Sequence, residues 1–309
     1  MRGMRRWLVV VALAGLAAAA CTPMQNAPAG GGATVTTSYK LGPFNLAAMG
    51  QPGWESNQVG AAPRPAGAFG LKASSFDLVD ENDNPLPRDQ AHLHHVLLIN
   101  SARRDPLCAN RNEWFTGAGA ERTPMTLPDP YAYLVGANDH WAAVWHVMNL
   151  MDMPMTVYIK YTLTYQPGAN STNTRGVVPY FMDVAGCGNA EFDVPGDGGP
   201  GSMYEKSKTW TAPQTGIAVF AGGHLHGGGM DITLADGLTG KSCTMTAHYT
   251  DMMMPMPGMM TPPDSIDSCP MHNTVLQGQS YTVTARYDNS QPLQGVMGIV
   301  LAYLWPGQQ

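Results

Sequence analysis

Two histidines of this chain are spaced as a metal-binding pair would be. His224 and His226 are separated by one residue, and alternate residues of a β-strand point to the same face, so both imidazoles can reach one ion. Imidazole is the commonest transition-metal ligand. A pair of hydrogen-bonded surface histidines on a Gly-rich edge would have the same sequence. Flanking glycines allow the backbone to bend and to approach the site closely: Gly222, Gly223, Gly227, Gly228 and Gly229.

A second group of histidines lies in a stretch that reads as a strand. Strand alternation pairs His92 with His94 and leaves His95 on the opposite face, although a β-bulge would change that assignment. The same residues could also be the polar end of a strand beside a core. His146 stands alone in an apolar run, which by itself is typical of a core histidine.

Methionine is unusually frequent, with 21 residues in the chain. Thioethers are soft ligands that select Cu(I) over Zn(II) and Mg(II). The alternative is a flexible loop whose methionines fill gaps in the core, and the sequence leaves both interpretations open. Seven methionines fall within about twenty residues: Met252, Met253, Met254, Met256, Met259, Met260 and Met271.

The elements that must position these residues are predicted to be strands. The chain has 35 glycines and 25 prolines, with turn signals between short β-rich runs and almost no helical periodicity, which is typical of sandwiches and barrels. We expect the boundary between two domains in the Gly- and Pro-rich stretch 187–207, giving domains at 36–186 and 187–309. The predicted strands are 75–79, 94–100, 142–149, 156–165, 177–184, 215–226, 230–234, 242–249, 280–287 and 296–305.

The start of the chain predicts export. Arginines precede an apolar run at 7–20 that is too short for a stable membrane helix, so residues 1–20 are expected to be an export signal. Cys21 follows small residues, as lipidation requires, and Gly-rich residues 21–35 would be a tether. Simple secretion is the alternative, because Ala18 stands where a lipobox usually has leucine. We expect a monomer at the periplasmic or cell surface, with Thr22 favouring the outer membrane and a lipid anchor as the only membrane attachment.

Four cysteines remain after Cys21, and an even number in an oxidising compartment predicts two disulfides. Three pairings are compatible with the sequence. We favour Cys243 with Cys269, because a 26-residue separation suits a staple across a loop, which leaves Cys108 for Cys187.

Charge and motifs exclude several functions. The net charge is −6 with only 17 Lys and Arg, which argues against a nucleic-acid partner. The chain contains neither a Gly-x-Ser-x-Gly nucleophile elbow nor a P-loop, nor a Gly-x-Gly-x-x-Gly string that joins a strand to a helix as a dinucleotide fingerprint does.

Three strings in chain order resemble known families. FDLVDENDNPLPRDQAHLHHVLL at 76–98, LPDPY at 127–131, and the C-terminal GHLHGGG with GVMG resemble the stress-up-regulated nodulin family. The order of a His-His pair, a lone histidine, His-x-His and a final methionine resembles the copper type II monooxygenases. That lineage includes peptidylglycine alpha-hydroxylating monooxygenase and dopamine beta-monooxygenase.

This resemblance implies an all-β fold of two jelly-roll-like antiparallel sandwich domains, each with one copper beside a solvent-filled cleft. His94, His95 and His146 would form the electron-supplying site. His224, His226 and Met297 would form the site where oxygen binds and a C–H bond is hydroxylated. The first assignment conflicts with strand alternation, and a bulge at the adjacent histidines would reconcile the two. The Met-rich stretch has no counterpart in those monooxygenases. Further candidate copper ligands therefore rest on residue type alone: His92, Met252, Met253, Met254, Met256, Met259 and Met260.

One departure from the resemblance concerns substrate. Peptide-amidating enzymes place an arginine two residues before His-x-His and a tyrosine four after the methionine, where this chain has Gly222 and Leu301. Peptide amidation is therefore not expected.

Three functional hypotheses follow from the sequence. The first is a copper-dependent monooxygenase with two coppers, a small-molecule or peptide substrate and a small reductant such as ascorbate. The second is a non-catalytic lipoprotein that sequesters or delivers copper. The third is a zinc-stabilised structural sandwich, against which a methionine ligand would argue.

Overall fold

The computed structural model describes residues 32–250 and 260–307, where every regular element is a β-strand. The predicted all-β class is therefore confirmed. None of the described segments forms an apolar helix of membrane-spanning length. Several predicted features lie outside the described residues: the export signal 1–20, Cys21, residues 21–31 of the tether, and Met252, Met253, Met254, Met256 and Met259.

The N-terminal half of the described chain contains ten strands in two sheets. The first sheet has the order β1-β9-β3-β7-β10, with β6 also paired to β3, and the second has the order β2-β8-β4-β5. All pairings are antiparallel except that of β7 with β10. The strands are β1 Val35–Leu46, β2 Glu55–Ala61, β3 Phe69–Val79, β4 Ala91–Arg104, β5 Asn112–Gly119, β6 Met125–Thr126, β7 Tyr131–Val135, β8 Trp141–Asn149, β9 Met155–Pro167 and β10 Arg175–Gly176.

The two sheets share one hydrophobic core because their strands alternate in polarity. In β9, Val157, Ile159, Tyr161 and Leu163 are buried, while the residues that alternate with them are more exposed. Their side chains belong to the same buried cluster as Leu93 and Val147 of the second sheet. Alternation thus orients one face of each sheet toward the other.

The described residues of the C-terminal half form eleven strands. One sheet has the order β11-β21-β14-β18, another has the order β13-β19-β15-β16-β17, and β12 pairs with β20. The strands are β11 Val178–Asp183, β12 Phe192–Val194, β13 Met203–Thr211, β14 Gly216–Leu225, β15 Gly229–Asp236, β16 Ser242–His248, β17 Ser265–Ile266, β18 Ser268–Val275, β19 Ser280–Asp288, β20 Leu293–Val296 and β21 Gly298–Trp305.

A second core fills this half. Every other residue of β19 is buried, from Tyr281 to Tyr287. These side chains share a cluster with Ala221 of β14 and with Val300 of β21. Strand β14, which leads into the His-x-His pair, and strands β20 and β21, which flank the late methionine, therefore pack against this core.

The two halves are joined by packing and by a covalent bond. The strand pairs of the described residues all fall within β1–β10 or within β11–β21. Phe220 and Tyr303 nevertheless belong to the first core, and the Tyr303 hydroxyl donates to the Phe115 carbonyl at 2.6 Å. Residues 178–183, within the predicted first domain, hydrogen-bond as β11 to β21.

Both predicted disulfides are confirmed. Cys108 and Cys187 are bonded with their Cα atoms 5.6 Å apart, and this bond links the N-terminal half to the segment after β11. Cys243 and Cys269 are bonded across a separation of 26 residues.

Candidate metal centre

A β-bulge at His94 determines how the first histidine group is arranged. In the pairing of β4 with β8, Leu93 lies opposite Val147 and His95 lies opposite His146, so His94 is the extra residue. The bulge brings adjacent histidines together, and their Nδ1 atoms are 3.2 Å apart. Simple alternation, which paired His92 with His94, therefore does not describe this strand.

His94, His95 and His146 form a triad with the spacing of a metal site. Each offers one ligand atom, and the three atoms lie within 4.8 Å of one another. The Nε2 atom of His146 is 2.9 Å from the Glu55 carboxylate, which leaves its Nδ1 atom for a metal. A carboxylate on the second ring nitrogen is the usual orienting partner of a metal-binding histidine.

In the His-x-His pair, the Nδ1 atom of each ring faces a hydrogen-bond acceptor. The Nδ1 atom of His224 lies 3.1 Å from Glu121 Oε1, and that of His226 lies 3.0 Å from the Gly295 carbonyl oxygen. Because each Nδ1 faces an acceptor, we assign it the proton, which leaves a lone pair on Nε2. Both Nε2 atoms are buried without a hydrogen-bond partner. Such a buried polar atom costs about 1–3 kcal/mol, and a bound metal would satisfy both nitrogens.

Tyr287 connects the pair to Met297. Its hydroxyl accepts a hydrogen bond from the His226 backbone N–H at 2.9 Å and donates one to the Met297 carbonyl at 2.5 Å. Met297 lies between β20 and β21, is 8 % exposed, and lines a cavity together with His224. His224, His226 and Met297, here called the His-x-His set, are thus held on one framework.

Glu121 is the buried carboxylate of the site. Burial raises its pKa, but the electrostatic interaction and hydrogen bond with His224, together with the Gly119 backbone N–H, outweigh burial and hold that pKa below its ordinary value. Gly119 is required here, because a Cβ at that position would lie 2.4 Å from His224 Cε1. Its lack of a side chain lets the end of β5 approach β14.

Burial favours the neutral form of four histidines of the site: His92, His94, His95 and His226. Desolvation, followed by the charge of His146, lowers the pKa of His92 from 6.5 to about 4. Desolvation, followed by the charge of His224, lowers the pKa of His95 to about 3. The pKa values of His94 and His226 are also lowered by burial first and by neighbouring histidines second. Neutral imidazole is the form that binds metals, so these rings are ready ligands at neutral pH.

The histidines of the two halves meet in one cluster. The ring centroids of His94 and His226 are 4.2 Å apart, and His92 adds a ring 5.7 Å from His94. This contact differs from the solvent-filled cleft between separate copper sites that the resemblance implied. The histidine cluster comprises His92, His94, His95, His146, His224 and His226.

One methionine of the Met-rich segment is described near this cluster. Met260 packs against the backbone of Gly227, the residue after His226. The approach is close: a Cβ added to Gly227 would lie 2.9 Å from the Cβ of Met260. Its sulfur lies beside the Gln291 amide. Met271 is half-buried against the second core.

Sequence reasoning missed the residues that orient the ligands. Glu121 lies 103 residues from His224 in the chain, and Glu55 lies 91 residues from His146. Neither acidic residue belongs to a local motif, so only the tertiary structure identifies it. Tyr287 had a weak signal, as a large residue at an inward position of a predicted strand.

Two curated proteins that are similar to this chain are named probable copper-dependent oxygenases. The chain is 25 % identical over 241 residues to a Cochliobolus lunatus protein named probable copper-dependent oxygenase clz3. This alignment covers 70 % of this chain and 72 % of that protein. The chain is 27 % identical over 249 residues to a Phoma protein named probable copper-dependent oxygenase M1, covering 70 % of this chain and 58 % of that protein. The alignment thus spans less than two thirds of the second relative. No protein-family model matches the chain.

Solved structures give only a distant likeness. A peptide-N(4)-(N-acetyl-beta-D-glucosaminyl)asparagine amidase is 11 % identical, with 87 % of this chain and 96 % of that chain covered. The TM-score of 0.43 is too low to establish a shared fold.

Proposed function

We propose that this protein is a copper-dependent oxygenase that hydroxylates a C–H bond of its substrate with oxygen and a small reductant such as ascorbate. The observation that carries the proposal is the pair of buried Nε2 atoms of His224 and His226, which have no hydrogen-bond partner and lie against a histidine triad. The naming of two relatives as probable copper-dependent oxygenases supports it.

The donor atoms favour copper over other metals. Two imidazoles and a thioether suit Cu(I), whereas zinc sites normally use N, S⁻ and O ligands without thioether. We propose two ions, one held by the triad and one by the His-x-His set. Bound copper would supply the one-electron and oxygen chemistry that side chains lack. In the overall reaction one atom of O₂ enters the product as a hydroxyl group and the other leaves as water, with two electrons from the reductant and two protons.

The side chains of this chain prepare the site. Glu121 fixes the ring of His224, and Tyr287 holds the backbone on both sides of the pair. Burial of Glu121 and of the His226 ring excludes water and preserves the neutral ligands. Pre-organised ligands of this kind avoid rearrangement when the metal binds.

Finer features of the proposal follow from the sequence. We propose a relationship to the copper type II monooxygenases, with the paired sheets as two jelly-roll-like sandwiches. The shared core of each pair of sheets supports this arrangement. We also propose an exported monomer anchored by lipid at Cys21, and a substrate other than a C-terminal peptide carboxylate.

A non-catalytic copper carrier is the second candidate. The observation that favours it is Met260, which places one end of the Met-rich segment beside the backbone that follows His226. A thioether-rich segment at this point would suit Cu(I) capture and transfer.

Copper analysis and oxygen consumption test the proposal. We expect two Cu(I) ions per chain, falling to one in Met297→Ala and in His224→Ala, while Met203→Ala at an exposed position of β13 keeps two. Ascorbate-driven oxygen uptake coupled to product formation would support the oxygenase. Tight copper binding without coupled turnover would favour the carrier, and one copper unaffected by these changes would contradict the two-ion arrangement.

A further inference from the structure

A small cavity adjoins the proposed copper ligands. Its volume is about 70 Å³, and its wall includes His95, His224 and Met297. Strands of both halves contribute, with β4 and β5 on one side and β14 and β21 on the other. Part of a substrate bound in this cavity would therefore contact two members of the His-x-His set, His224 and Met297, directly.

The remaining wall is apolar. None of the described residues that line the cavity is a lysine or an arginine. Its one carboxylate is that of Glu121, whose Oε1 is held by His224 and by the Gly119 N–H, while Oε2 is buried without a hydrogen-bond partner. The hydroxyl of Thr116 is already hydrogen-bonded to Ser74. The apolar wall includes Leu97, Phe181, Phe220, Ile299 and Leu301.

Size and polarity together restrict the ligand. An engineered apolar cavity of about 150 Å³ holds benzene, so a cavity of roughly half that volume suits a short alkyl group better than a ring. A ligand carboxylate would find no lysine or arginine in the cavity and would lie beside the carboxylate of Glu121, so its binding is disfavoured. An ammonium would lose its hydration to apolar walls, and the one unpartnered acidic oxygen there, Glu121 Oε2, could not satisfy all of its N–H groups.

We propose that this cavity receives a short, neutral alkyl segment of the substrate and presents it to the His-x-His set. This inference rests on the proposed function for its catalytic meaning, but alkyl binding itself needs no copper. The class of substrate is thus one with an aliphatic C–H group at its reacting end and no charge within about four carbons of it.

Binding of three matched probes to copper-free protein tests the inference. We expect 1-butanol to bind at least tenfold more tightly than butyrate or butylammonium in saturation-transfer NMR. Shortening the alcohol to 1-propanol should weaken binding by up to about fourfold, the equivalent of one buried methylene. Equal or tighter binding of either charged probe would overturn the proposal.

Two variants locate the binding. At Gly222, an added Cβ would meet only the Phe220 ring, at 3.4 Å, so Gly222→Val adds methyl groups beside the cavity and should abolish 1-butanol binding. The matched control is Gly188→Val, because a Cβ at this exposed loop position has no neighbour within 4 Å. Undiminished binding to Gly222→Val would place the alcohol elsewhere and refute the inference.

A second change tests the same cavity in the opposite direction. Leu301→Ala enlarges it and should shift the preference from 1-butanol to 1-hexanol, whereas an unchanged preference would count against the cavity as the binding site. Copper content is measured separately for every variant. Intact alkyl binding without copper binding would contradict the proposed function alone, and copper binding without alkyl binding would contradict this inference alone.

Discussion

Individual residues give the two histidines of the His-x-His pair the same tautomer by different means. A carboxylate faces Nδ1 of His224, and a backbone carbonyl faces Nδ1 of His226. A carboxylate polarises an imidazole more strongly than a carbonyl does, because its interaction is charge-assisted. His224 is therefore expected to be the stronger donor to copper of the two.

Replacing the Glu121 carboxylate tests this difference. Glu121→Gln keeps an acceptor oxygen but removes the charge, so we expect Cu(I) affinity of the His-x-His set to fall about tenfold. Competition with a Cu(I) chelator measures it. The matched control is Glu55→Gln, which alters the exposed carboxylate beside His146 and should leave the affinity of the His-x-His set unchanged. Equal affinities in the Glu121 variant and the parent would show that this carboxylate does not tune His224.

At the scale of elements, β19 positions the ligands from behind. Tyr287 is fully buried at the end of this strand, where its hydroxyl holds the His226 N–H and the Met297 carbonyl. Two segments separated by about seventy residues are thus held by one side chain.

Removing this hydroxyl should loosen both segments. Tyr287→Phe leaves the His226 N–H without its partner, so we expect the free energy of unfolding to fall by roughly 1–3 kcal/mol in urea denaturation. Tyr204→Phe is the control, because Tyr204 lies opposite Tyr287 in β13 and is half-buried. If both variants lost the same stability, the loss could not be assigned to the hydrogen bonds of Tyr287.

Alternation allowed many strands to be predicted and also explains those that were missed. The predicted strand 142–149 lies within β8, and 280–287 lies within β19, where buried and exposed residues alternate. Strand β13 overlaps the predicted boundary at 187–207, because it is almost entirely exposed and reads as a loop. Its hydrogen bonds to β19 define it as a strand, and no local pattern encodes them.

The candidate site was predictable in its ligands but not in its assembly. The spacing of His224 and His226 signals a shared face, whereas the bulge at His94 depends on pairing with β8. The contact between the His94 and His226 rings depends on docking of the two halves. Residues more than a hundred positions apart leave no local signature of such a contact.

For the whole molecule, buried neutral histidines predict a pH dependence of stability. The folded pKa of His92, about 4, lies below its ordinary value of 6.5, so the unfolded chain binds a proton first as the pH falls. The stability that neutral His92 contributes to the copper-free protein is therefore fully present above pH 6.5 and is lost as the pH falls through 4. His92 alone would account for roughly 3 kcal/mol at pH 4, at 1.36 kcal/mol per unit of pKa.

Urea unfolding of copper-free protein at pH 7.0, 5.5 and 4.5 measures this loss. His92→Gln should flatten the dependence, and His272→Gln, at an exposed position, should not. Equal losses of stability with falling pH in the parent and in His92→Gln would contradict the inferred burial of a neutral His92.

The meeting of His94 and His226 also constrains how the protein can mature. A nascent chain that encountered copper before its halves had docked would expose two incomplete groups of ligands, each free to capture metal in a wrong geometry. The Cys108–Cys187 bond ties the halves together and so favours their docking. We therefore expect productive maturation to proceed by disulfide formation first, docking of the two halves second and copper binding last. Copper that binds before docking is expected to impair folding.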